Sequence, residues 1–130
     1  MSSNDILANA LSKIDNSIIT KKETCTIGPV SKLIKDILEI MKFNHYIGEI
    51  EELTKQKGTI LKINLIGGLN KCGVIKPRYP VKTDNFEKFE KRYLPSRGFG
   101  YLIVSTSEGI MTHEQAIKKN LGGKLIAYFY

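Results

Sequence analysis

The 130-residue chain lacks tryptophan and has few of the residues that build metal centres and disulfide frameworks. Its 2 cysteines, Cys25 and Cys72, are far apart and show no metal-ligand spacing, so reduced, buried thiols are expected. Of its 2 histidines, His113 precedes a glutamate, but the residue four positions later is Ile117 and not the second histidine of a zinc motif. The sequence therefore predicts no metal site and no cofactor.

Signatures of membrane proteins and of common enzymes are also missing. No apolar run approaches the roughly 20 residues that cross a bilayer, and the N-terminus has no basic region followed by an apolar core. No Gly-x-Ser-x-Gly elbow is present, although a hydrolase triad of Ser107, His113 and Asp84 is formally possible. The two glycines at 67 and 68 lack the Lys-Ser/Thr pair of a phosphate loop. We therefore expect a non-enzymatic intracellular protein.

Basic residues are what the sequence has in excess. The net charge is +7, and residues 71–97 alone contain 8 Lys or Arg against 3 Asp or Glu. A concentrated positive charge favours a polyanionic partner, because each cation placed near a phosphate releases counterions. The same run of charge is also compatible with a solvated face or with docking to an acidic protein.

Hydrophobic periodicity predicts an α+β fold in two halves. Residues 1–67 read as an N-terminal α/β domain with the order helix-strand-helix-strand-strand, in which two helices cover one face of a three-stranded sheet. The first helix is capped by Asn4 or Asp5 and the second by Ser31. The last two strands are expected at residues 46–53 and 59–66.

Residues 68–130 read as a C-terminal β-rich domain with short helices. Its basic arm (residues 76–82) contains two prolines and is therefore expected to be extended and not a central strand. A short helix over residues 86–93 and a terminal strand over 124–130 follow from their apolar patterns. Thr112 and Gln115 form a capping-box pair, so a helix is expected from His113 until a glycine cap near residue 122.

The Ser/Thr loop (residues 105–109, Ser-Thr-Ser-Glu-Gly) lies between a predicted strand at 101–104 and that helix. Its hydroxyl groups donate and accept hydrogen bonds without bulk, and Gly109 permits close backbone approach. Taken alone, the loop reads first as an ordinary turn whose hydroxyls bond their own backbone, and a surface that contacts a partner is the alternative.

The run 105–113 (Ser-Thr-Ser-Glu-Gly-Ile-Met-Thr-His), followed by Gly-Gly-Lys-Leu-Ile-Ala-Tyr at 122–128, resembles the C-terminal signature of the family of the eighth protein of the small ribosomal subunit. Residues 5–11 and 29–33 are similar to the opening of that family, so the resemblance spans essentially the whole chain. The segment 76–95 resembles the archaeal and eukaryotic branch.

The resemblance implies a structural constituent of the small subunit that binds the central domain of small-subunit rRNA early in assembly. It implies a monomer that recognises one irregular RNA helix, has ribosomal proteins as neighbours and works in cytoplasmic ribosomes. The expected RNA-binding residues, carried over by position or taken from the basic arm, are Asn9, Lys13, Ser31, Lys32, Lys76, Arg78, Ser105, Thr106, Ser107, Gly109, Gly122, Gly123 and Lys124. The alternative function is a basic protein-interaction module that docks an acidic protein partner through the basic arm.

Overall fold

The computed structural model describes residues 3–56, 58–96 and 98–130. It is 33% helical and 31% strand with antiparallel sheets, which confirms the α+β class. The chain divides into two compact units, Met1–Cys72 and Gly73–Tyr130. The boundary expected between residues 67 and 68 lies within the first of these units. None of the helices in the described part of the chain is long and apolar enough to cross a membrane.

The elements of the first unit follow the predicted order: α1 (Ser3–Ile19), β1 (Thr24–Ile27), α2 (Lys32–Phe43), β2 (Ile50–Lys55) and β3 (Gly58–Asn64). The strands form an antiparallel sheet in the order β1-β3-β2. Alternate residues of β1 and β3 are buried, so the sheet has one apolar face. Helix α2 contributes four buried residues at helical spacing to the core of this unit, namely Ile34, Ile37, Leu38 and Met41.

Two predictions about the first unit were wrong in detail. Helix α1 already includes Asn4 and Asp5, so neither residue is its N-cap. Strand β2 begins at Ile50 and not at residue 46, because the turn that closes α2 follows Phe43 and takes up residues 44–47. His45 takes a left-handed φ of 64° there, and the amide of Tyr46 donates to the carbonyl of Met41 at 2.9 Å. This αL turn closes α2 before a strand can start.

The second sheet contains the remaining strands: β4 (Cys72–Val74), β5 (Pro80–Val81), β6 (Tyr101–Thr106), β7 (Gly109–Thr112) and β8 (Gly123–Phe129). Its order is β4-β8-β6-β7, and β5 also pairs with β8. The terminal strand, expected at residues 124–130, therefore has neighbours on both sides in the sheet. Two short helices accompany it: α3 (Phe86–Tyr93) and α4 (His113–Lys118).

Aromatic residues of α3 pack into the core of the second unit. Phe86 and Phe89 are buried, and Tyr93 packs against the same cluster. Their ring neighbours include Tyr79, whose centroid lies 5.4 Å from that of Phe89, and Tyr128, 5.3 Å from Tyr93. These rings are therefore core residues and not platforms for stacking bases.

The chain between β6 and α4 differs from the prediction. The strand expected at 101–104 continues to Thr106, and an additional strand, β7, precedes the helix. The capping box is confirmed, since the Thr112 side chain accepts from the amide of Gln115 and the Gln115 side chain accepts from the amide of Thr112. The left-handed residue after α4 is Asn120 (φ 56°) and not a glycine, because asparagine also tolerates this conformation.

Candidate nucleic-acid interface

The Ser/Thr loop is the tip of the β6–β7 hairpin. Thr106 pairs with Gly109 and Ser105 with Ile110, which leaves Ser107 and the following glutamate as the turn. Gly109 has a φ of 111°, a backbone conformation that residues with a Cβ rarely adopt. The loop is thus held by a strand on each side, and its tip is exposed to solvent.

The three hydroxyls of this loop have different environments. Thr106 Oγ1 donates to the carbonyl of Gly109 at 2.8 Å and accepts from the amide of Glu108 at 3.1 Å. Ser105 and Ser107 are exposed, and neither side chain makes a hydrogen bond to the part of the chain that the structure describes. Thr106 therefore stabilises the turn, whereas the two serines keep their hydrogen-bonding capacity for an outside molecule.

Lys124 lies directly beside the Ser/Thr loop in the sheet. It pairs with Ser105 on β6 and with Pro80 on β5, and both Ser105 and Lys124 are exposed. Directly opposed residues of an antiparallel pair project from the same face, with Cβ atoms about 5 Å apart. The sheet thereby brings a hydroxyl and an ammonium group together from positions that are distant in the sequence.

Gly122 and Gly123 are required for close packing and not for a left-handed turn. A Cβ at Gly123 would collide with the carbonyl oxygen of Ser105, and one at Gly122 would lie 2.6 Å from the carbonyl oxygen of Val81. Both contacts are with backbone, which cannot move away as a flexible side chain would. These glycines therefore fix the distance between β8 and its neighbours, and with it the position of Ser105.

The basic arm is only partly available to a partner. Lys76 is exposed, but Arg78 is half-buried, and its Nη2 atom is buried with no hydrogen-bond partner in the described ranges. Another cation of this basic region, Arg92, lies over the ring of Tyr79 at 5.7 Å. Part of the positive charge around the arm is thus held against the protein itself.

The candidate residues of the first unit form two separate pairs. Asn9 and Lys13 are exposed and lie one turn apart on α1, so they share a helix face. Ser31 is the N-cap of α2, where its hydroxyl accepts from the amide of Ile34 at 3.4 Å, and Lys32 is the exposed first residue of that helix. Ser31 therefore has a structural role whatever else it contacts.

His113 is a buried structural residue and not a catalytic base. Its Nδ1 accepts from the amide of Leu102 at 3.0 Å, and its Nε2 lies 2.9 Å from Oε1 of Glu90. Both ring nitrogens are therefore engaged, with the proton of the neutral ring on Nε2. Burial lowers the pKa of His113 below its ordinary value, although the nearby carboxylates of Glu90 and Glu114 oppose this shift. A triad that includes Ser107 has no support, because Ser107 lies in the exposed turn while His113 is buried.

Several groups near the candidate residues have structural partners that sequence patterns do not reveal. Lys119 lies 3.7 Å from the carboxylate of Glu108 in the turn, in an exposed pair that contributes little to stability.

Asp15 on α1 accepts from the amide of Cys72 at 3.3 Å. Burial raises the pKa of the Cys72 thiol to about 12, helped by the Asp15 carboxylate. Cys72 is therefore an unreactive thiol, and Cys25 is likewise buried and unpaired by any disulfide.

A basic α+β protein that presents unengaged hydroxyls on a rigid hairpin, with a lysine on the neighbouring strand, has the features of a nucleic-acid-binding protein. The family model of ribosomal protein S8 matches residues 5–130, which is almost the whole chain. The chain therefore belongs to the ribosomal protein S8 family. It is a small-subunit ribosomal protein that binds rRNA, and its family is structural and not enzymatic. The expectation of a ribosomal, rRNA-binding protein is thus confirmed.

Proposed function

We propose that this protein binds an irregular helix in the central domain of small-subunit rRNA and promotes subunit assembly in a cytoplasmic ribosome of the archaeal or eukaryotic type. Ribosomal proteins of the small subunit are its other partners in that assembly, in which it acts as a monomer. The observation that carries the proposal is the exposed hairpin tip, in which Ser105 and Ser107 have no intramolecular hydrogen bond with described residues.

The shape of the Ser/Thr loop suits the minor groove of RNA. An A-form helix has a major groove too narrow for side chains, and it displays 2′-hydroxyls and base edges in a wide, shallow minor groove. Small hydroxyl side chains on a narrow β-turn reach such a surface without steric conflict. Thr106 holds the turn through its two hydrogen bonds, so little conformational entropy is lost on binding.

Cations beside the loop position the complex, while the hydroxyls recognise the RNA. Lys124 is the nearest candidate, because it is paired with Ser105 in the sheet. A lysine near a phosphate adds salt-dependent affinity but carries no sequence information. Specificity then depends on an irregularity in the RNA helix that accommodates the hairpin tip.

The first unit adds a second, more polar contact in this proposal. Asn9 and Lys13 present an amide and an ammonium group on one exposed face of α1. Lys32 adds a positive charge at the start of α2, where a lysine is not favoured by the helix dipole. An exposed cation at that unfavourable position is consistent with use by an external anion.

Binding to transcripts of small-subunit rRNA tests the proposal. We expect the protein to bind a central-domain fragment more tightly than an unrelated duplex of equal length at the same salt concentration, and to protect an irregular helix from hydroxyl radicals. Equal affinity for both RNAs would remove the central-domain assignment. RNA affinity and an RNA footprint that both stay unchanged when the basic arm is neutralised would instead support the protein-docking alternative for that arm.

A further inference from the structure

The second unit contains a cavity of about 470 Å³ that the Ser/Thr loop does not line. Its lining comes from the start of α3, from α4 and from Gly98, which lies between α3 and β6. Strand β7 connects the cavity to the hairpin tip, because Gly109 begins that strand and His113 directly follows it. At about 3.3 Å per residue, the four residues of β7 separate the two places by roughly 13 Å. A molecule in the cavity therefore need not compete with RNA at the Ser/Thr loop.

This cavity is acidic although the chain as a whole is basic. The net charge of the chain is +7, yet the described lining residues include no lysine or arginine. They include four carboxylates, those of Asp84, Glu87, Glu90 and Glu114. His113 also lines the cavity, and its Nδ1 accepts from a backbone amide, so the ring is neutral and adds no positive charge. An acidic cavity disfavours the phosphates of RNA and favours a cation.

The carboxylates of the acidic cavity have unused capacity to accept hydrogen bonds. Asp84, Glu87 and Glu114 are exposed, and their side chains make no ion pair or hydrogen bond with described residues. Glu90 differs, because its Oε1 lies 2.9 Å from Nε2 of His113 and its side chain is only 15% exposed. Its second carboxylate oxygen has no such bond within the described ranges. Carboxylate oxygens in this state accept strong hydrogen bonds from a cationic group.

The arrangement does not suit a single metal ion. Nowhere in the described part of the chain do three or more His, Cys, Asp or Glu side chains form a group that could hold one. The four carboxylates are therefore not clustered as ligands of one cation, and they fit several charges on a longer molecule. Arginine suits such carboxylates, since its planar guanidinium can donate two parallel N–H groups to one of them.

Exposed apolar side chains accompany the carboxylates. Ile117 lines the cavity and is 44% exposed, and Phe99, the residue after lining residue Gly98, is 66% exposed. A free cation gains nothing from such groups, whereas a polypeptide that covers them removes apolar surface from water. Charge and apolar surface together therefore favour a basic protein segment as the occupant.

We propose that the acidic cavity is the docking site for a basic segment of a neighbouring protein in the small subunit, with arginine or lysine side chains at the carboxylates and an apolar side chain against Ile117. The inference rests on the proposed place of the protein among other ribosomal proteins, and it names the surface and the chemistry of one such contact. Because β7 separates the cavity from the hairpin tip, this neighbour and the rRNA bind at the same time.

The first test titrates the full-length protein with a short peptide of arginine, alanine and leucine and follows the backbone amides by NMR. A matched peptide carries citrulline, which keeps the shape of arginine without its charge. The cavity variant neutralises the exposed carboxylates by the substitutions Asp84→Asn, Glu87→Gln and Glu114→Gln. The control variant removes the same charge from exposed positions of the first unit by the substitutions Glu23→Gln, Glu39→Gln and Glu51→Gln.

We expect the arginine peptide to shift amides of residues 83–90 and 113–117, and the citrulline peptide and magnesium chloride alone to leave them unchanged. The cavity variant should bind the arginine peptide about three- to hundredfold more weakly, as the loss of three exposed ion pairs implies. The control variant should bind it as the wild type does. Both variants retain Glu90, the partner of buried His113, so both should keep the wild-type urea midpoint and the wild-type affinity for the central-domain transcript.

The second test measures the same carboxylates in the assembled particle. Carbodiimide-driven coupling of glycine ethyl ester should label Asp84, Glu87 and Glu114 at similar rates in the free protein and in its complex with the rRNA transcript. In purified small subunits, where protein neighbours are present, the labelling should be slower. Equal rates in the subunit and in the rRNA complex would overturn the inference.

Four results of the first test would also overturn it: wild-type peptide affinity in the cavity variant, an equal loss in the control variant, equal binding of the citrulline peptide, or the same amide shifts with magnesium chloride alone. Loss of transcript affinity in the cavity variant would assign the cavity to RNA and refute a protein occupant. Failure of wild-type protein to prefer the central-domain transcript is a different result, because it would refute the proposed function and leave the peptide and labelling results to decide the cavity.

Discussion

Removing the hydroxyls of the Ser/Thr loop one at a time should separate recognition of RNA from stability of the hairpin. Ser105 and Ser107 are exposed, without a hydrogen bond to described residues. Ser105→Ala and Ser107→Ala should therefore change the free energy of unfolding by less than about 0.5 kcal/mol. Each should weaken binding of rRNA by about 1–2 kcal/mol, the cost of one buried hydrogen bond lost at the interface.

Thr106 should behave in the opposite way. Thr106→Val keeps the shape of the side chain but removes the bonds at 2.8 and 3.1 Å to Gly109 and Glu108. At about 0.5–1 kcal/mol for each partly exposed bond, the free energy of unfolding should fall by about 1–2 kcal/mol. Binding should weaken as well, because the turn must then be ordered on contact with RNA. Thr106→Ser retains the hydroxyl and serves as the control.

The assays are urea unfolding, followed by circular dichroism, and fluorescence anisotropy with a labelled central-domain transcript at one fixed salt concentration. A loss of 1–2 kcal/mol corresponds to an increase in Kd of about five- to thirtyfold, well within the range of the method. Wild-type affinity in both serine variants would refute the assignment of the loop to RNA contact. Wild-type stability in Thr106→Val would refute the argument that its hydroxyl holds the turn.

Three further predictions address the surroundings of the loop. Lys76→Gln should reduce the slope of log K against log salt by about 0.9 if its ammonium group contacts a phosphate of a helix, and substitution of half-buried Arg78 should reduce it less. Unaltered slopes after substitution of either residue would assign the basic arm to a protein neighbour. Gly123→Ala should lower the free energy of unfolding by about 1–3 kcal/mol and also weaken RNA binding, since the added Cβ displaces the Ser105 carbonyl. A variant that unfolds and binds RNA as the wild type does would contradict this prediction. Burial lowers the pKa of His113 in the folded protein, so the unfolded chain takes up the proton first as the pH falls below about 6.5. Unfolding titrations should therefore show that the free energy of unfolding declines below that pH in the wild type and declines less in His113→Gln.

Local sequence signals located most elements of the fold correctly. The apolar stripe of α2, its cap at Ser31 and the capping box at Thr112 depend on residues three or four positions apart, so a short window contains all the information. Helix α3 has the predicted bounds for the same reason, since Phe86 and Phe89 lie one turn apart and a proline follows.

Elements whose ends depend on distant partners were predicted less well. Strand β7 was missed because its residues pair with β6 across a two-residue turn that carries neither an Asn-Gly nor an Asp-Gly signal. The left-handed cap after α4 was placed at a glycine, but the glycines near residue 122 are there because other strands approach them closely. A sequence window contains no information on how near another strand will come.

The sequence by itself determined the composition of the candidate interface: a positively charged chain, a cluster of small hydroxyls before a glycine, and a family signature over nearly its whole length. Only the tertiary structure decided which of those groups are available. Pairing of β8 with β5 and β6 placed Lys124 beside Ser105, a bulge between Ile103 and Val104 set that register, and the turn engaged Thr106 while leaving Ser107 exposed. Chemistry is a property of single residues and is therefore visible in the sequence, whereas proximity and hydrogen-bond satisfaction depend on contacts between residues far apart in the chain.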